Sequence, residues 1–404
     1  MLFLTVPPFV WPQSWLLTYL AQTATMIVFA LSYNLLLGET GLLSFGHAAY
    51  SGLGALIAAH VFNHLGGVPL AVLPLIGGIG GALCGVVFGA VSTRRAGTAF
   101  AMITLGLGEL VTAAAWTLPD WFGGEAGVSI DRTSGPLIGN WSFGPAGEAY
   151  ALIALWCGLA CVAMYALSRT PFIRLANAVR DNPVRAAALG CYPRRVRYGV
   201  VVVSAFFAGI AGTLGLINVE LVSTESVGML RSGSVLIATV IGGTASFFGP
   251  VVGAVVLTFF SVVVASVTRA WLFYLGLFFV MVVVMSPDGL AGFVERQVAR
   301  IATRGWRRCA AAYLWSTAAA LLWTAAIVLA VQWAYAVQFG SDDGAGLSFA
   351  GVSLDDASSL YGRLGGALLV LALAGAVTMR VARRAWAGLA TPQPGQSRMT
   401  GAAR

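Results

Sequence analysis

Long apolar runs, separated by short charged or glycine-rich breaks, order the whole chain. Taking roughly 20 apolar residues as one membrane crossing, spans are expected near 15–37, 41–63, 68–93, 98–118, 148–168 and 197–219. The next stretch is harder to divide. A run at 233–247 ends at GGTASFFGP, one at 250–268 ends at Arg269, and one at 270–286 ends at SPDG; one of the three is a candidate half-span. Two further runs, 311–335 and 364–379, flank an acidic loop with Asp342, Asp343, Asp355 and Asp356. No alternating strand pattern is present, and lipid offers no partner for free backbone groups, so the spans are expected to be helices. The predicted fold is an all-α integral membrane protein: a polytopic helical bundle of about 8–11 spans with glycine-broken helices.

Composition sharpens this picture. With 58% hydrophobic and 9% charged residues in 404, the chain has too little polar surface to cover a soluble globule. All 23 basic residues are arginines, and they sit in the loops between spans, so the net charge of +8 reflects topology rather than nucleic-acid binding. Segment 169–197 carries seven arginines against Asp181 alone, which places it in the cytoplasm; Arg94 with Arg95, and the cluster from Arg296 to Arg308, fall on the same side. The loop 119–148, with Asp120, Glu125, Asp131 and Glu148 against Arg132, suits the outer face. This layout closes only if 233–286 makes an odd number of crossings. The predicted division is an N-terminal segment 1–14, a transmembrane domain 15–290, a basic cytoplasmic linker 291–310, an appended transmembrane hairpin 311–380 and a disordered cytoplasmic tail 381–404. Five scattered cysteines show no CxxC and no metal spacing, so neither disulfides nor a metal site is expected.

Two breaks share a local pattern, GETGLLSFG at 38–46 and GGTASFFGP at 242–250, which suggests an internal repeat of the kind transporters carry. Their glycines, Gly38, Gly41, Gly46, Gly242, Gly243 and Gly249, are candidate hinges. The loop 169–197 is amphipathic at helical spacing: Phe172, Leu175, Ala176, Val179, Ala187 and Leu189 can face membrane or protein, while Arg174, Arg180, Asp181, Asn182 and Arg185 face outwards. Pro183 is expected to start a second helical turn. The result is a short cytoplasmic helix, either bound to anionic lipid or docked to a cytoplasmic partner.

The run SRTPFIRLANAVRDNPVRAAALG resembles the cytoplasmic coupling loop of permease subunits of ABC importers for branched-chain amino acids, the M-type permease family. Arg174, Ala178, Arg180, Asn182, Arg185, Ala186 and Gly190 match the pattern of that loop, and Ile173 stands where glycine is usual. NLLLGETGLLSFGHAAYSGLGA at 34–55, FAMITLGLGELV at 100–111 with FGGEAGVS at 122–129, and VLIATVIGGTASFFGPVVGA at 235–254 resemble further family motifs in the same order. Together they cover about residues 30–290. The resemblance implies a bacterial inner-membrane importer. Two permeases, this chain and a second in a heterodimer, would pair; two cytoplasmic ABC ATPases would dock on the coupling loops, here through Phe172, Arg174, Arg180, Asp181, Asn182, Arg185 and Gly190. A periplasmic or extracellular solute-binding protein would deliver the solute, and lipid surrounds the whole.

Neither GxxxxGKS nor GxxxxGKT occurs, so ATP is expected to act on partner subunits and no cofactor on this chain. No catalytic triad or acid pair suggests an enzyme. Candidates for the translocation path are Asn34, Ser44, His47, Thr104 and Glu109, each of which also has a packing reading: Glu109, inside a span, either faces the path or hydrogen-bonds a neighbouring helix. The runner-up reading is a self-contained secondary carrier or channel with Glu109 as its proton or ion site. A membrane scaffold with a recruiting hairpin is a third. The polar positions do not choose among branched-chain amino acids, amides and aromatic acids as solute.

Overall fold

The computed structural model describes residues 14–65, 67–124, 126–136, 142–339, 348–349, 352–353 and 357–390, which divide into two compact units, 1–294 and 295–404. Among the described residues, eight helices are long and apolar enough to cross a membrane. There are nine if Trp271–Met285 and Gly289–Thr303, bent by 48° at 286–288, form one span.

The first unit begins with α1 (Ser14–Thr40), α2 (His47–His64), α3 (Leu73–Ser92), α4 (Thr98–Thr117) and α5 (Ala146–Ser168). Two short helices, α6 (Pro171–Asp181) and α7 (Pro183–Ala188), precede α8 (Pro193–Val219). Three more helices follow: α9 (Met229–Gly242), α10 (Gly249–Val267) and α11 (Trp271–Met285). α1 and α8 form the centre, with most of their residues buried. α3 and α8 meet backbone to backbone, because a Cβ on Gly81 or Gly209 would run into the facing main chain. This small-residue packing replaces the hydrophobic drive that lipid cannot supply. The outward faces of α3, α4, α5 and α11 carry exposed Leu83, Leu110, Leu155 and Val284, as a lipid-facing surface requires.

The two matching sequence stretches both break helices, and they lie side by side: a Cβ on Gly38 would be 3.1 Å from the carbonyl oxygen of Thr244. The first break is shifted from its expected place. Gly41, at φ +68°, ends α1 through Gly41 N–H to Leu37 O (3.0 Å) and Leu42 N–H to Leu36 O (3.2 Å), a left-handed stop that a β-carbon would strain. The chain then runs without helix to Gly46, so α2 starts at His47 rather than at 41. At the second break Gly243, at φ +101°, lies against Gly289, so the ends of α9 and α11 share one side of the bundle. Of α9, α10 and α11 only α10 is by itself long and apolar enough to cross a membrane; α9 has 14 residues, and α11 qualifies only when joined to the helix that starts at Gly289. On the outer side, β1 (Val128–Ser129) pairs antiparallel with β2 (Leu221–Val222), and Arg132 Nε bonds Glu220 Oε1 at 2.6 Å.

From Gly289 the stretch expected as a linker is instead an amphipathic helix, α12 (Gly289–Arg304). The second unit contains its last ten residues and two long helices, α13 (Trp306–Phe339) and α14 (Ala357–Ala390). The expected disordered tail from 381 is helical as far as Ala390. Trp386 holds it there: its Nε1 donates to Ser316 Oγ (3.0 Å), its ring meets Tyr313 edge-on, and Arg300 lies 5.7 Å above it. The acidic loop residues and residues 391–404 lie outside the described residues, as do 1–13.

Candidate functional site

Three connected regions of the first unit bring its chemistry together. The first is the cytoplasmic helix pair. In α6 the buried stripe is Ile173, Ala176 and Val179, joined by Ala186 of α7. Of the apolar set that the sequence turns toward membrane or protein, Ala176 and Val179 are buried, whereas Leu175, Ala187 and Leu189 are exposed, and so is Val184. Periodicity set the wheel correctly but not which edge of the apolar arc turns inward, and Ile173, in place of the usual glycine, fixes it. Phe172 is half-buried and packs on α8 at Gly199. Asn182 Oδ1 accepts from Arg185 N–H at 2.9 Å, so it is the N-cap of α7, with Pro183 in the first turn as expected. Arg174, Asp181, Arg185 and Gly190 are exposed. Arg180 is exposed as well, as expected, but its head group also reaches the end of α1. Its Nη1 donates to Gly38 O and its Cγ underlies Gly41, while Nε reaches Asp181 Oδ1 at 3.3 Å. The cytoplasmic helix thus holds the end of α1 at the first break.

The second region is the break itself. Tyr33 Oη donates to Ser44 O (2.9 Å) and accepts from Ser44 N–H (3.2 Å). Thr104 Oγ1 accepts from Phe45 N–H (3.2 Å) and donates to Ala101 O (2.9 Å), and Gly46 lies so close to Thr104 O that a Cβ there would collide. Two side chains from flanking helices therefore satisfy a backbone that cannot satisfy itself. α2 has no cap of its own; Ser232 of α9 supplies one, accepting from Ala48 N–H at 3.0 Å. His47 is fully buried, stacked on Phe29 with ring centres 5.5 Å apart and edge-on to Tyr33 and Tyr50. Ser32 Oγ spends its hydrogen on Phe29 O (2.7 Å), so at 3.0 Å it accepts from His47 Nε2–H. Nδ1 of His47 then faces no partner among the described residues. Of the path candidates, Ser44, His47 and Thr104 gather here, and Asn34 sits one turn below Gly38 with its Oδ1 buried and unpartnered. Glu109 does not join them. It is exposed on the far face of α4 and, among the described residues, bonds no neighbouring helix, so the packing role expected for it is not met.

The third region was not foreseen. A cavity of about 390 Å³ opens between α1, α2, α8 and the segment 221–231. Its polar lining includes Gln22, Thr25, Ser51, Asn218, Glu225 and Arg231. The Arg231 side chain has no hydrogen bond or ion pair among the described residues; its guanidinium lies 5.6 Å from the Phe29 ring, and Nε is shielded from solvent. Ser51 Oγ is also buried without a partner. The Phe29 ring thus links Arg231 on one side to His47 on the other. The signal was present in the sequence as an arginine without an acid at the head of an apolar run, but dividing the run at 233 set it aside.

A polytopic bundle with a basic amphipathic helix pair, broken spans and an internal polar cavity has the architecture of a multi-pass membrane transport subunit. The family described as branched-chain amino acid transport system, permease component, matches residues 15–285, and the chain belongs to it. Among curated proteins it is 27% identical over 297 residues to the high-affinity branched-chain amino acid transport system permease protein LivM of Escherichia coli K12, covering 68% of this chain and 70% of the relative. The LivM of Salmonella typhimurium LT2 is 26% identical over 298 residues, covering 69% and 70%. No solved structure matches.

Proposed function

We propose that this chain is the permease subunit of an ATP-driven ABC importer for branched-chain or related amino acids, forming the translocation path and coupling it to ATPases. It pairs with a second permease, takes solute from an outer binding protein, and binds no ATP itself; two cytoplasmic ATPases dock on α6 and α7. The observation that carries the coupling is Arg180, which ties α6 to Gly38 O and underlies Gly41. Displacement of α6 by the ATPases pulls on the end of α1, and the break at 41–46 absorbs the motion because its backbone bonds run to side chains rather than to a continuing helix. Exposed Arg174, Arg185, Val184 and Leu189 give α6 and α7 a mixed basic and apolar docking face.

Separate variants distinguish docking from transmission in the complex reconstituted with its ATPases and binding protein. Arg174→Glu with Arg185→Glu should lose co-purification of the ATPases. Arg180→Ala should keep them, yet lower ATP-driven uptake by at least about tenfold, equal to about 1.4 kcal/mol of lost coupling. Wild-type uptake by the Arg180 variant would refute the transmission role.

A further inference from the structure

The cavity holds two features that nothing among the described residues explains: a guanidinium without an anion, and a buried hydroxyl without a partner. Buried polar groups in folded proteins are almost always satisfied, so a pair of orphans facing one space implies an occupant. Neither group is idle packing. Arg231 leaves its Nη2 3.5 Å from where a Cβ on Gly215 would lie, and Thr25 Cγ2 is 3.6 Å from the same point, so the absence of a side chain at 215 is what keeps the space open beside the cation. Glu225 lines the same cavity without an ion pair to Arg231, so a cation and an anion stand apart with room between them. Ala55, Leu216 and Val219 complete the wall with apolar surface. The volume is within the range of small-molecule sites, roughly 300–1,000 Å³.

The geometry points to an internal solute site in which an α-amino acid is held as its zwitterion: Arg231 receives the carboxylate in bidentate fashion, Glu225 the ammonium, and the apolar wall the branched side chain. This rests on the permease reading and adds to it a stopping place inside the subunit, with a residue for each charged group. A carboxylate is the natural partner of a planar guanidinium. The first turn of α9, which starts two residues before Arg231 and has no side-chain cap, adds the positive end of a helix to the same side. Occupancy would reach the break directly, since Arg231 adjoins Ser232, the cap of α2, and lies over Phe29, which stacks on His47.

The test uses the assembled transporter in nanodiscs, without binding protein, and radiolabelled L-leucine as probe. Two competitors divide the charges: 4-methylpentanoate, which keeps the carboxylate, and 3-methylbutylamine, which keeps the ammonium. Arg231→Gln should weaken leucine binding about 10- to 100-fold, as expected for loss of a charge-assisted pair, and should abolish competition by the acid but not by the amine. Glu225→Gln should show the reverse selectivity. Arg231→Lys, which keeps the charge but not the fork, should fall between wild type and Arg231→Gln. Gly215→Leu fills the space beside the guanidinium and should remove binding and uptake together while the ATPases still co-purify. Unchanged leucine binding in Arg231→Gln, or normal uptake by Gly215→Leu, overturns the internal site while leaving the permease reading intact. Absence of ATP-driven leucine uptake by the wild-type complex overturns that reading and, with it, leucine as the occupant.

Discussion

Tyr33→Phe isolates the contribution of the pinned break with a change of one oxygen atom. The ring is fully buried and keeps its contacts, so no cavity forms. What disappears is the double bond to Ser44: the hydroxyl donates to its carbonyl and accepts from its amide. Ser44 lies outside any helix and has no second partner for either group among the described residues. Each buried backbone group left bare costs about 1–3 kcal/mol, and removing the hydroxyl relieves part of that, so the net loss should be about 2–4 kcal/mol. At about 2–4 °C per kcal/mol the thermal midpoint of the detergent-purified protein should fall by about 4–16 °C. Amide exchange gives the local reading: opening at Ser44 should become about 30- to 700-fold more frequent, while the centre of α8 should change far less. A midpoint within about 1 °C of wild type, with exchange at Ser44 unaltered, would refute the idea that this side chain holds the break.

Two further outcomes follow from the same structure. Ser232→Ala removes the cap that α9 lends to α2 and should cost about 1–2 kcal/mol, whereas Ser234→Ala, which loses only a bond within its own helix, should stay within about 0.5 kcal/mol of wild type; thermal midpoints compare them. In the outer loop the Asp131 carboxylate is held below the usual range, first by the Thr133 hydroxyl (2.6 Å) and then by the Thr133 amide (2.8 Å). Because the folded value is the lower one, the stabilisation is present at neutral pH and fades as pH falls from the ordinary carboxylate value of about 4 through the lowered one. Exchange at the Thr133 amide should therefore quicken in acid, and Asp131→Asn should flatten that response; an identical acid response in the variant would contradict it.

The sequence made the bundle legible because a membrane imposes its length on every apolar run, and arginine placement then orients the runs. Gly41 and Gly243 were legible for a similar reason, since a glycine cluster in an apolar run has few structural uses. Other features depended on partners far along the chain. That Trp386 keeps α14 helical follows from Ser316, Tyr313 and Arg300, which no local pattern connects to it. Arg180 reads as a solvated charge on its own helix and stays exposed, but its bond to Gly38 O, 142 residues away, is one that no local pattern reveals. Glu109 misled for the opposite reason: a charge in a span suggests an inward face, but the turn of α4 carries it outwards. The cavity that holds Ser51, Glu225 and Arg231 draws on residues far apart in the chain, and only the fold brings Ser51 to the segment 221–231.

On the proposed coupling, the loan of Ser232 to the start of α2 would make the relation between solute and nucleotide a two-way one. Arg231 and Ser232 are consecutive, so whatever repositions the first turn of α9 also alters the hydrogen bond that begins α2. Linkage then requires symmetry in free energy: if docking and closure of the ATPases change the affinity of the cavity by some factor, a solute in the cavity changes the equilibrium of ATPase closure by the same factor. A transporter wired in this way needs no separate sensor of whether cargo is aboard. The cap of one helix, borrowed from another, is enough to report it.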